Sequence, residues 1–521
     1  MKVFKSILFV LLWLGQIAAI AWAGAHVVGM NMVPTRLLLL AGVAAGLIVV
    51  LEGLLFLSGM RAKKGKHPGL LRRILACLFI LVMLGASAYG ASLSDKVTET
   101  VTKVTQPQGV TTTYAVYVLK DDAAETLDDA KDYDFGVTLS YDSVHTRKAV
   151  AALSEYFGGD VKTVDHDTIL DSVDELFSKR VGAVLLPQAY TDILKELDGY
   201  ETFNEDTRIL YDFAVERSEE DAAVTPVPEE TDDPNATPQP TVNFKYTNLE
   251  PVGDVSNDPF VVYLSGSDTR SRMLATSNSD VNILVVVNPK TKQVLLLNTP
   301  RDYYVPNPAG NGALDKLTHC GCYGIGCSVK ALSNLYDTPV NYYGQINFTG
   351  FETLVDAIGG IHVYSGYSFT TYNGYHIQGG YNDLNGEAAL GFVRERHAFA
   401  SGDRQRGNNQ MKAITAIIRK LSSGRNMLLH YDSILSSLQG MFVTNLSGDE
   451  IATLVRMQLN DNAEWNVKSF AVTGGDGSEI TYSIPRLRVY VMYQNPQLVS
   501  RAANLVDRVI AGETITDADV S

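Results

Sequence analysis

Apolar residues are concentrated at the start of the chain, where three long apolar runs are separated by short polar links. The runs lie near residues 7–28, 37–57 and 74–91. Each run is about as long as the roughly 20 residues that a helix needs to cross the apolar core of a bilayer. We therefore predict three transmembrane helices within residues 1–91. Cleavage of the first run as a signal peptide, at the site suggested by Ala21-Trp22-Ala23, would leave two.

Positive charge is distributed unevenly around these runs. Lys2 and Lys5 precede the first run, and the basic loop at residues 61–73 contains six Lys or Arg residues and no acid. Since lysine and arginine are retained on the cytoplasmic side of transmembrane helices, the N-terminus and this loop are predicted to be cytoplasmic. Residues after about 92 are then extracellular, and the chain is a multi-pass protein of the cell membrane. The polar, Thr- and Val-rich residues 92–112 suit a stalk.

A small domain is predicted over residues 113–217, where strand-like runs alternate with helical patterns. The strand-like runs are 114–119, 135–139, 161–164 and 181–186, and the helical patterns lie near 141–157 and 167–180. Strands that alternate with helices are typical of a parallel α/β sheet. Since the segment has no Gly-rich phosphate loop, we interpret it as an accessory α/β domain that serves as a spacer or binds a partner. Residues 218–245 follow as an acidic linker rich in Pro and Thr, whose composition predicts disorder.

The next region, residues 246–510, combines β-branched and Leu-rich strand runs with amphipathic helical patterns. The strands are predicted at 260–264, 280–287, 292–297 and 340–348, and the helices near 325–336, 350–358, 385–394 and 403–421. Strands of this composition are typical of a buried sheet that helices cover. We predict an α/β catalytic domain here, followed by a C-terminal tail at residues 511–521.

Net charge and cysteine content narrow the possible partners and covalent links. A formal net charge of −15 gives no basic field that would favour nucleic acid as a partner. Three of the four cysteines lie close together, at Cys320, Cys322 and Cys327. Because disulfides form outside the cytosol, we predict the pair Cys322–Cys327, with free thiols as the alternative. A metal site that includes His319 is less favoured, since the distant second pair of ligands typical of structural zinc is missing.

Acidic and basic residues recur at the predicted ends of strands and helices in residues 246–510. The local sequences are SGSDTR (265–270), SNSDVN (277–282), TPRDYY (299–304), FVRERH (392–397) and GDRQRGNNQ (402–410). A pyrophosphate repels bare carboxylates, so acids beside it need a divalent cation, while arginines fork onto the remaining oxygens. The combination points to phosphoryl transfer. Each residue taken alone also has a structural interpretation, as a turn residue, a helix cap or a charge that complements a helix dipole.

In order and spacing, these five motifs resemble the LytR-CpsA-Psr (LCP) family of bacterial cell-envelope enzymes, over roughly residues 246–425 and on to about 500. The resemblance implies an LCP-type α/β/α domain with a central mixed sheet. It also implies that Asp268 and Asp280 hold a Mg²⁺ ion against a lipid-linked pyrophosphate, with the polyprenyl tail in an apolar tunnel.

The same resemblance assigns roles to the basic residues of the motifs. The residues expected to bind the pyrophosphate of the substrate are Arg301, Arg394, Arg396, Arg406 and Gln410. Asp302 is expected to position Arg301. The residues on which catalysis is expected to depend are Asp268, Asp280, Arg301, Arg394 and Arg396.

At three positions the chain departs from the pattern of the family. Many relatives have arginine where this chain has Asn278 and Asn409, and tyrosine where it has Phe392. The loss of two cations would weaken pyrophosphate binding or shift the donor preference. Because five basic or amide contacts remain, the departures do not imply an inactive protein.

The resemblance therefore implies a membrane-anchored, extracellular, Mg²⁺-dependent phosphotransferase. Its donor would be a glycopolymer of the teichoic acid or capsular polysaccharide type on a polyprenyl pyrophosphate carrier, and its acceptor a peptidoglycan hydroxyl. A polyprenyl-pyrophosphate-sugar phosphatase, with water as the acceptor, is one alternative. A non-catalytic adaptor that binds envelope polymers or regulates their assembly is the other.

Overall fold

The structure is a computed structural model with an apolar helical anchor, an accessory α/β domain and a larger α/β domain. It describes residues 2–61, 67–105, 110–217, 249–267, 276–423, 434, 438 and 440–521. The predicted linker at 218–245 and Asp268 lie outside these residues.

The anchor consists of three helices that are long and apolar enough to cross a membrane. They are α1 (Lys2–Gly29), α2 (Thr35–Arg61) and α3 (His67–Thr105). The three predicted spans are thereby confirmed, but α3 extends beyond its apolar run at both ends. Residues 67–73 of the predicted basic loop and residues 92–105 of the predicted stalk are helical. The extension on the stalk side forms because Val97 and Val101, four residues apart, share a buried face.

The accessory domain is a five-stranded sheet with helices packed against it, and its strand order is β3-β2-β4-β1-β5. Its elements are β1 (Val110–Leu119), β2 (Phe135–Val137), α4 (Ser143–Phe157), β3 (Thr163–Asp165), α5 (Ile169–Phe177), β4 (Ala183–Pro187), α6 (Gln188–Leu194), α7 (Phe203–Asp206) and β5 (Thr207–Arg217), with a 3-10 turn at Leu127–Ala130.

Only part of the accessory sheet is parallel. Strand β2 runs parallel to β3 and β4, as predicted, whereas β1 is antiparallel to β4 and β5. The prediction of a wholly parallel sheet is therefore wrong. The error concerns the part of the sheet that contains β1, which is antiparallel to β4 and which also pairs, along its whole length, with the unpredicted strand β5.

The larger domain is built on a six-stranded mixed sheet with the order β16-β11-β6-β7-β8-β17. Its first half contains β6 (Phe260–Ser267), β7 (Ser279–Asn288), β8 (Gln293–Asn298), β9 (Tyr304–Pro306), β10 (Leu314–Lys316), α8 (Leu317–Cys320), α9 (Ile325–Tyr336), β11 (Tyr342–Asn347) and α10 (Phe348–Ala357), with 3-10 turns at Pro308–Gly310 and Gly321–Tyr323.

The second half adds two helices beside the sheet, several small hairpins and a C-terminal helical layer. Its elements are β12 (Ile361–Ser365), β13 (Phe369–Thr370), β14 (His376–Ile377), β15 (Gly380–Leu384), α11 (Gly386–Arg394), α12 (Asp403–Ser422), β16 (Phe442–Thr444), α13 (Gly448–Asp461), β17 (Asn466–Ala471), β18 (Gly474–Thr481), β19 (Ile484–Gln494), α14 (Pro496–Ile510) and α15 (Asp517–Val520).

Alternation along the central strands separates two apolar layers. Leu284, Leu295 and their neighbours face α9 and α14 and are fully buried. Ile283, Leu296 and the other alternate residues face α12. Because successive side chains of a strand point to opposite faces, the Val- and Leu-rich runs fill both layers. This arrangement is the α/β/α sandwich with a mixed sheet that the sequence predicts.

Residues 511–521 are part of this sandwich and are not a separate tail. Ile515 is fully buried in the layer formed with α14. The backbone N–H of Ile515 donates to Oε1 of Gln293, at a distance of 2.7 Å. The domain therefore continues beyond the predicted boundary at 510.

The accessory domain packs directly against the larger domain. The hydroxyl of Tyr190 donates a buried hydrogen bond to the backbone oxygen of Ser483, at 2.6 Å. Nη1 of Arg486 lies 2.6 Å from Oδ1 of Asp171 and 2.9 Å from Oδ2 of Asp174. The segment interpreted from sequence as a spacer or partner-binding module therefore has a fixed place on the larger domain.

The predicted Cys322–Cys327 disulfide is not formed. Cys322 packs into the core of the accessory domain, whereas Cys327 on α9 packs below the central sheet. Their Sγ atoms donate to different partners, Asn278 and Asn307, each at 3.2 Å. A hydrogen bond with Cys327 and burial raise the pKa of the Cys320 thiol well above its usual value, so this thiol stays protonated.

Candidate functional site

The hairpin of β7 and β8 brings together the first two residues of the site. Asp280 stands at the beginning of β7, and Arg301 follows the end of β8 by three residues. Because the two strands are antiparallel, the beginning of one lies beside the end of the other, with Ile283 opposite Asn298. Nη1 of Arg301 is 3.0 Å from Oδ1 of Asp280.

Arg301 is a buried cation surrounded by carboxylates. Its side chain is only 7% exposed, and its Nη2 donates to Oε1 of Glu196 at 2.9 Å. Its Nε lies 4.0 Å from Oδ1 of Asp302. Burial alone would lower the pKa of Arg301, but Asp280, Glu196 and Asp302 raise it, and the net shift is upward. The guanidinium is therefore permanently charged.

The first turn of α12 adds a second acid–arginine pair. Asp403 and Arg406 are three residues apart and form an ion pair. Burial raises the pKa of Asp403, Arg406 lowers it, and nearby Asp302 and Asp280 raise it further, so the net shift is upward. The helix comes this close to β8 because Gly407 has no side chain. A Cβ at Gly407 would lie 2.4 Å from the side-chain nitrogen of Asn298.

A lysine from β10 completes the charged cluster. Nζ of Lys316 is 3.2 Å from Oδ1 of Asp302 and 3.9 Å from Oε2 of Glu196. Burial alone would raise the pKa of Asp302, but Lys316 and Arg301 lower it, and the net shift is downward. Asp302 is thus ionised and lies between Arg301 and Lys316.

Four buried atoms of this cluster make no hydrogen bond of regular geometry with any residue that the structure describes. They are Oδ1 of Asp280, Nε of Arg301, Oδ1 of Asp403 and Nη2 of Arg406. Three of them are held only by ion pairs within the cluster, Oδ1 of Asp280 with Nη1 of Arg301 and Oδ1 of Asp403 with Nη2 of Arg406. Buried charges in native proteins are normally both paired and hydrogen-bonded, so this arrangement suits a site that a polar ligand completes.

The other expected pyrophosphate contacts lie at the junction of α11 and α12. The guanidinium carbon of Arg394 lies 4.1 Å from the ring centre of Phe348, and its Nη1 donates to the Tyr372 hydroxyl at 3.1 Å. Arg396 is exposed, with its Nε 3.4 Å from Nε2 of His397. Nε2 of Gln410 donates to the backbone oxygen of Val393 at 3.4 Å. The structure thus brings Asp280, Arg301 and Arg406 into one cluster, with Arg394, Arg396 and Gln410 on neighbouring segments.

The three departures from the family pattern have structural roles in this chain. Asn278 accepts the thiol hydrogen bond of Cys322. Nδ2 of Asn409 donates to the backbone oxygen of Phe392 at 3.1 Å, which fixes the end of α11 against α12. Phe392 itself is fully buried and stacks against Phe369.

Three members of the cluster were not predicted from the sequence. Asp403 could have been found, because it shares the GDRQR motif and lies three residues from Arg406 on one helix face. Lys316 belongs to none of the five motifs. Glu196 comes from the accessory domain, about 100 residues earlier in the chain, and no local pattern indicates that it reaches this site.

The donor set is compatible with magnesium at one position. Magnesium is usually bound by one or two carboxylates, with phosphate oxygens and water completing its shell. Asp280 is the described carboxylate that could take this role, since its Oδ1 is buried and makes no regular hydrogen bond, although it lies 3.0 Å from Nη1 of Arg301. Among those residues, no group of three or more His, Cys, Asp or Glu side chains is arranged to hold a metal ion. The second expected ligand, Asp268, lies outside them.

The fold and the site define a class: a membrane-anchored α/β protein with a buried cluster of acids and arginines at one end of its central sheet. The model of the LytR_cpsA_psr family matches residues 222–496, just over half of the chain. The chain therefore belongs to the LytR-CpsA-Psr family.

Individual relatives are more distant. The polyisoprenyl-teichoic acid–peptidoglycan teichoic acid transferase TagU of Enterococcus faecalis is 35% identical over 198 residues, 38% of this chain and 64% of the relative. TagU of Bacillus licheniformis is 34% identical over 200 residues, with the same shares. The crystal structure of TagV from B. subtilis has 23% identity and a TM-score of 0.42, and the match covers 50% of this chain and 99% of TagV. The chain thus spans less than two thirds of the length of the two TagU relatives.

Proposed function

We propose that the chain is a membrane-anchored phosphotransferase that acts outside the cell. It moves a glycopolymer of the teichoic acid or capsular type from a polyprenyl pyrophosphate carrier to a peptidoglycan hydroxyl. Membership of the family and the name of the TagU relatives support this proposal. The observation that carries it is the buried cluster of Asp280, Arg301, Asp403 and Arg406, whose charged atoms form ion pairs but lack regular hydrogen bonds.

Each charged group has a role on this proposal. Arg301 and Arg406 bind the phosphate oxygens of the donor through guanidinium N–H groups that make no regular hydrogen bond with the described residues. Lys316 adds a third cation, and Asp302 keeps Lys316 and Arg301 aligned. Arg394 and Arg396 bind the sugar side of the pyrophosphate, from the end of α11. Because charge on the phosphoryl group changes during transfer, fixed cations that need no rearrangement lower the barrier.

Magnesium is part of the proposal, with Asp280 and Asp268 as its protein ligands. When bound, the ion supplies positive charge against the phosphate oxygens. The acceptor hydroxyl attacks the phosphorus that carries the sugar, the bond to the bridging oxygen breaks, and polyprenyl phosphate leaves. Arg301 and Arg406 stabilise the negative charge that remains on the leaving phosphate.

The polyprenyl tail is proposed to lie between the sheet and α12. That layer contains apolar side chains that are only partly buried. They include Val262, Leu264 and Val281 of the sheet and Ile414 and Ile418 of α12. Apolar side chains that remain partly exposed gain about 25 cal/mol for each Å² that an apolar ligand covers.

On this proposal, the three anchor helices hold the enzyme in the membrane that contains the lipid-linked donor. The donor's lipid is confined to the bilayer. The basic residues in the loop at 61–73, between the second and third apolar runs, favour a cytoplasmic location for that loop. The domains that follow α3 are then extracellular, on the side of the peptidoglycan. Confinement of the enzyme and its donor to one membrane raises their encounter frequency.

The test uses the full-length protein in nanodiscs with a lipid-pyrophosphate-linked glycan and peptidoglycan fragments. Arg301→Ala is expected to lower turnover about 100-fold or more, as the loss of a preorganised charge contact does in other enzymes. Arg301→Lys keeps the charge but loses the fork and should recover only part of the activity.

The matched control is Arg419→Ala, which removes an exposed arginine from the far end of α12 and should leave turnover unchanged. Wild-type turnover in Arg301→Ala would contradict the proposed site. Release of free polymer phosphate in place of a peptidoglycan adduct would identify a phosphatase, and the absence of any turnover in the wild type would favour the adaptor.

A further inference from the structure

The charged cluster contains one residue from outside the LCP domain. Glu196 belongs to the accessory domain, yet its two carboxylate oxygens contact Arg301 and Lys316. Oε1 is 2.9 Å from Nη2 of Arg301, a hydrogen-bonding distance, and Oε2 is 3.9 Å from Nζ of Lys316. The accessory domain therefore supplies an anion to the cations that the proposed function assigns to the donor's phosphates.

The position of Glu196 is fixed by packing on both sides. Its neighbours Leu194 and Leu197 are buried in the core of the accessory domain, at 0% and 2% exposure. The preceding helix α6 is held on the LCP domain by the buried hydrogen bond of Tyr190 to Ser483. The turn that carries Glu196 is thus anchored before and after the residue, and its side chain extends from this turn toward Arg301.

Of the three described carboxylates that lie within 4.0 Å of Arg301, Glu196 is the one that an incoming anion can displace. The side chains of Asp280 and Asp302 are 13% and 16% exposed, whereas that of Glu196 is 41% exposed. Displacing a half-exposed carboxylate into water costs little, because an exposed ion pair contributes only about 0–1 kcal/mol. Displacing a buried carboxylate would leave a buried charge uncompensated. An anion that arrives from solvent therefore replaces Glu196.

We propose that Glu196 is a specificity-determining residue that competes with the ligand for Arg301 and Lys316. This inference rests on the proposed function and goes beyond it, because it assigns the accessory domain a role in choosing the anion. A lipid pyrophosphate carries more charge and more oxygens than a carboxylate and displaces Glu196. A lipid monophosphate, the product that must leave, competes less effectively. Specificity of this kind is a difference between two binding free energies. It increases when Glu196 weakens binding of the monophosphate more than binding of the pyrophosphate.

The test measures binding to the full-length protein in nanodiscs, with a short-chain isoprenoid pyrophosphate and the matching isoprenoid monophosphate as probes. Glu196→Gln keeps the shape of the side chain and removes its charge. It is expected to tighten monophosphate binding about threefold to fivefold and pyrophosphate binding about twofold, within the range of a half-exposed ion pair. The preference for pyrophosphate over monophosphate should fall accordingly.

The matched control is Asp198→Asn, which removes the same charge from an exposed position two residues away. It should leave both affinities and the preference unchanged, and equal thermal unfolding of the two variants and the wild type excludes a folding defect. An unchanged preference in Glu196→Gln, or weaker binding of both probes, would overturn the role of Glu196. If the wild type and Arg301→Ala bound the pyrophosphate equally, the proposed function itself would fail, which is a distinct result.

Discussion

Arg301 and its acidic neighbours show how several charges can be buried in one place. Asp302 and Glu196 each lie near a second cation, Lys316, in addition to Arg301. Burial raises the pKa of Asp302 and of Asp403, but the net pKa shifts of the two acids have opposite directions. The pKa of Asp302 is lowered, because Lys316 and Arg301 outweigh burial, whereas that of Asp403 is raised. The acids of the site therefore take up protons in a defined order.

This order predicts the pH dependence of anion binding. Since its pKa is raised, Asp403 takes up a proton first as the pH falls from neutral, while Asp302 remains ionised. Loss of one negative charge makes the site more positive, so affinity for an isoprenoid pyrophosphate should rise as the pH falls toward about 4. Asp403→Asn should bind more tightly at neutral pH and show a smaller rise.

Isothermal titration of both proteins across this pH range provides the measurement. Protonation of the pyrophosphate itself affects both proteins equally, so the ratio of their affinities reports Asp403 alone. A constant ratio across the range would contradict the assigned order of protonation.

At the residue scale, the sequence predicted the parts of the site that are local. Asp280, Arg301 and Arg406 could be found because each lies in a short motif at the end of a strand or helix. Lys316 and Glu196 could not, since only tertiary packing brings them to the cluster. The disulfide prediction was wrong for the same reason: Cys322 and Cys327 are only five positions apart, but the chain turns between them and buries them in different cores.

At the scale of elements, apolar periodicity predicted the main helices and strands up to residue 421 to within a few residues, apart from the ends of helix α3, because their cores are continuous and strongly apolar. Strand β5, several short strands and helices before α12, and the elements after α12 were not predicted. The extension of α3 is stabilised by contacts with α13, which lies about 350 residues later in the chain. Strand β5 is stabilised mainly by pairing with β1. Neither contact leaves a local signal in the sequence.

The anchor helices contain a polar contact that hydropathy alone does not reveal. Nε2 of Gln16 on α1 donates to Oε2 of Glu52 on α2, at 2.7 Å, and both side chains are fully buried. Gln16 thus gives the Glu52 carboxylate a hydrogen-bond donor within the anchor. Polar side chains between apolar helices commonly fix helix pairing.

This contact makes a prediction about the anchor. Gln16→Leu should destabilise the packing of α1 and α2 by about 1 kcal/mol, because Glu52 loses its hydrogen-bond donor. The double variant with Glu52→Leu should recover most of the loss, since two apolar side chains need no partner. Unfolding of the full-length protein in detergent measures both, and an equal or larger loss in the double variant would contradict the assigned pairing.

At the scale of the whole molecule, the LCP domain is docked onto its own anchor. Val455 and Leu459 of α13 pack against Val97 and Val101 of α3. Nη1 of Arg456 donates to the backbone oxygen of Asn31 at 3.1 Å, in the link between α1 and α2. The LCP domain is therefore held at one orientation to the bilayer by contacts distant in sequence from its site.

Breaking this docking should separate binding from membrane-borne activity. Val455→Asp places a charge in the apolar contact with α3, at a position that is 9% exposed. Turnover of a long-chain donor in nanodiscs should fall about tenfold, because the effective concentration of the site at the membrane drops. Binding of a short-chain soluble pyrophosphate should not change.

Ile480→Asp is the control, since it also replaces a β-branched apolar residue with aspartate, but on an exposed strand away from the anchor. It should alter neither measurement. Equal losses of binding and turnover in Val455→Asp would indicate general unfolding and contradict the docking role.

The unbroken course of α3 sets the height at which the enzyme works. Residues 92–105 add about 20 Å of helix above the third apolar run, at the usual rise of about 1.5 Å per residue. A flexible tether of the same length would let the domains sweep a hemisphere, whereas a docked helix holds them at one level. On the proposed function, the acceptors in reach are then the glycan strands nearest the membrane, so new polymer enters the youngest layer of the wall.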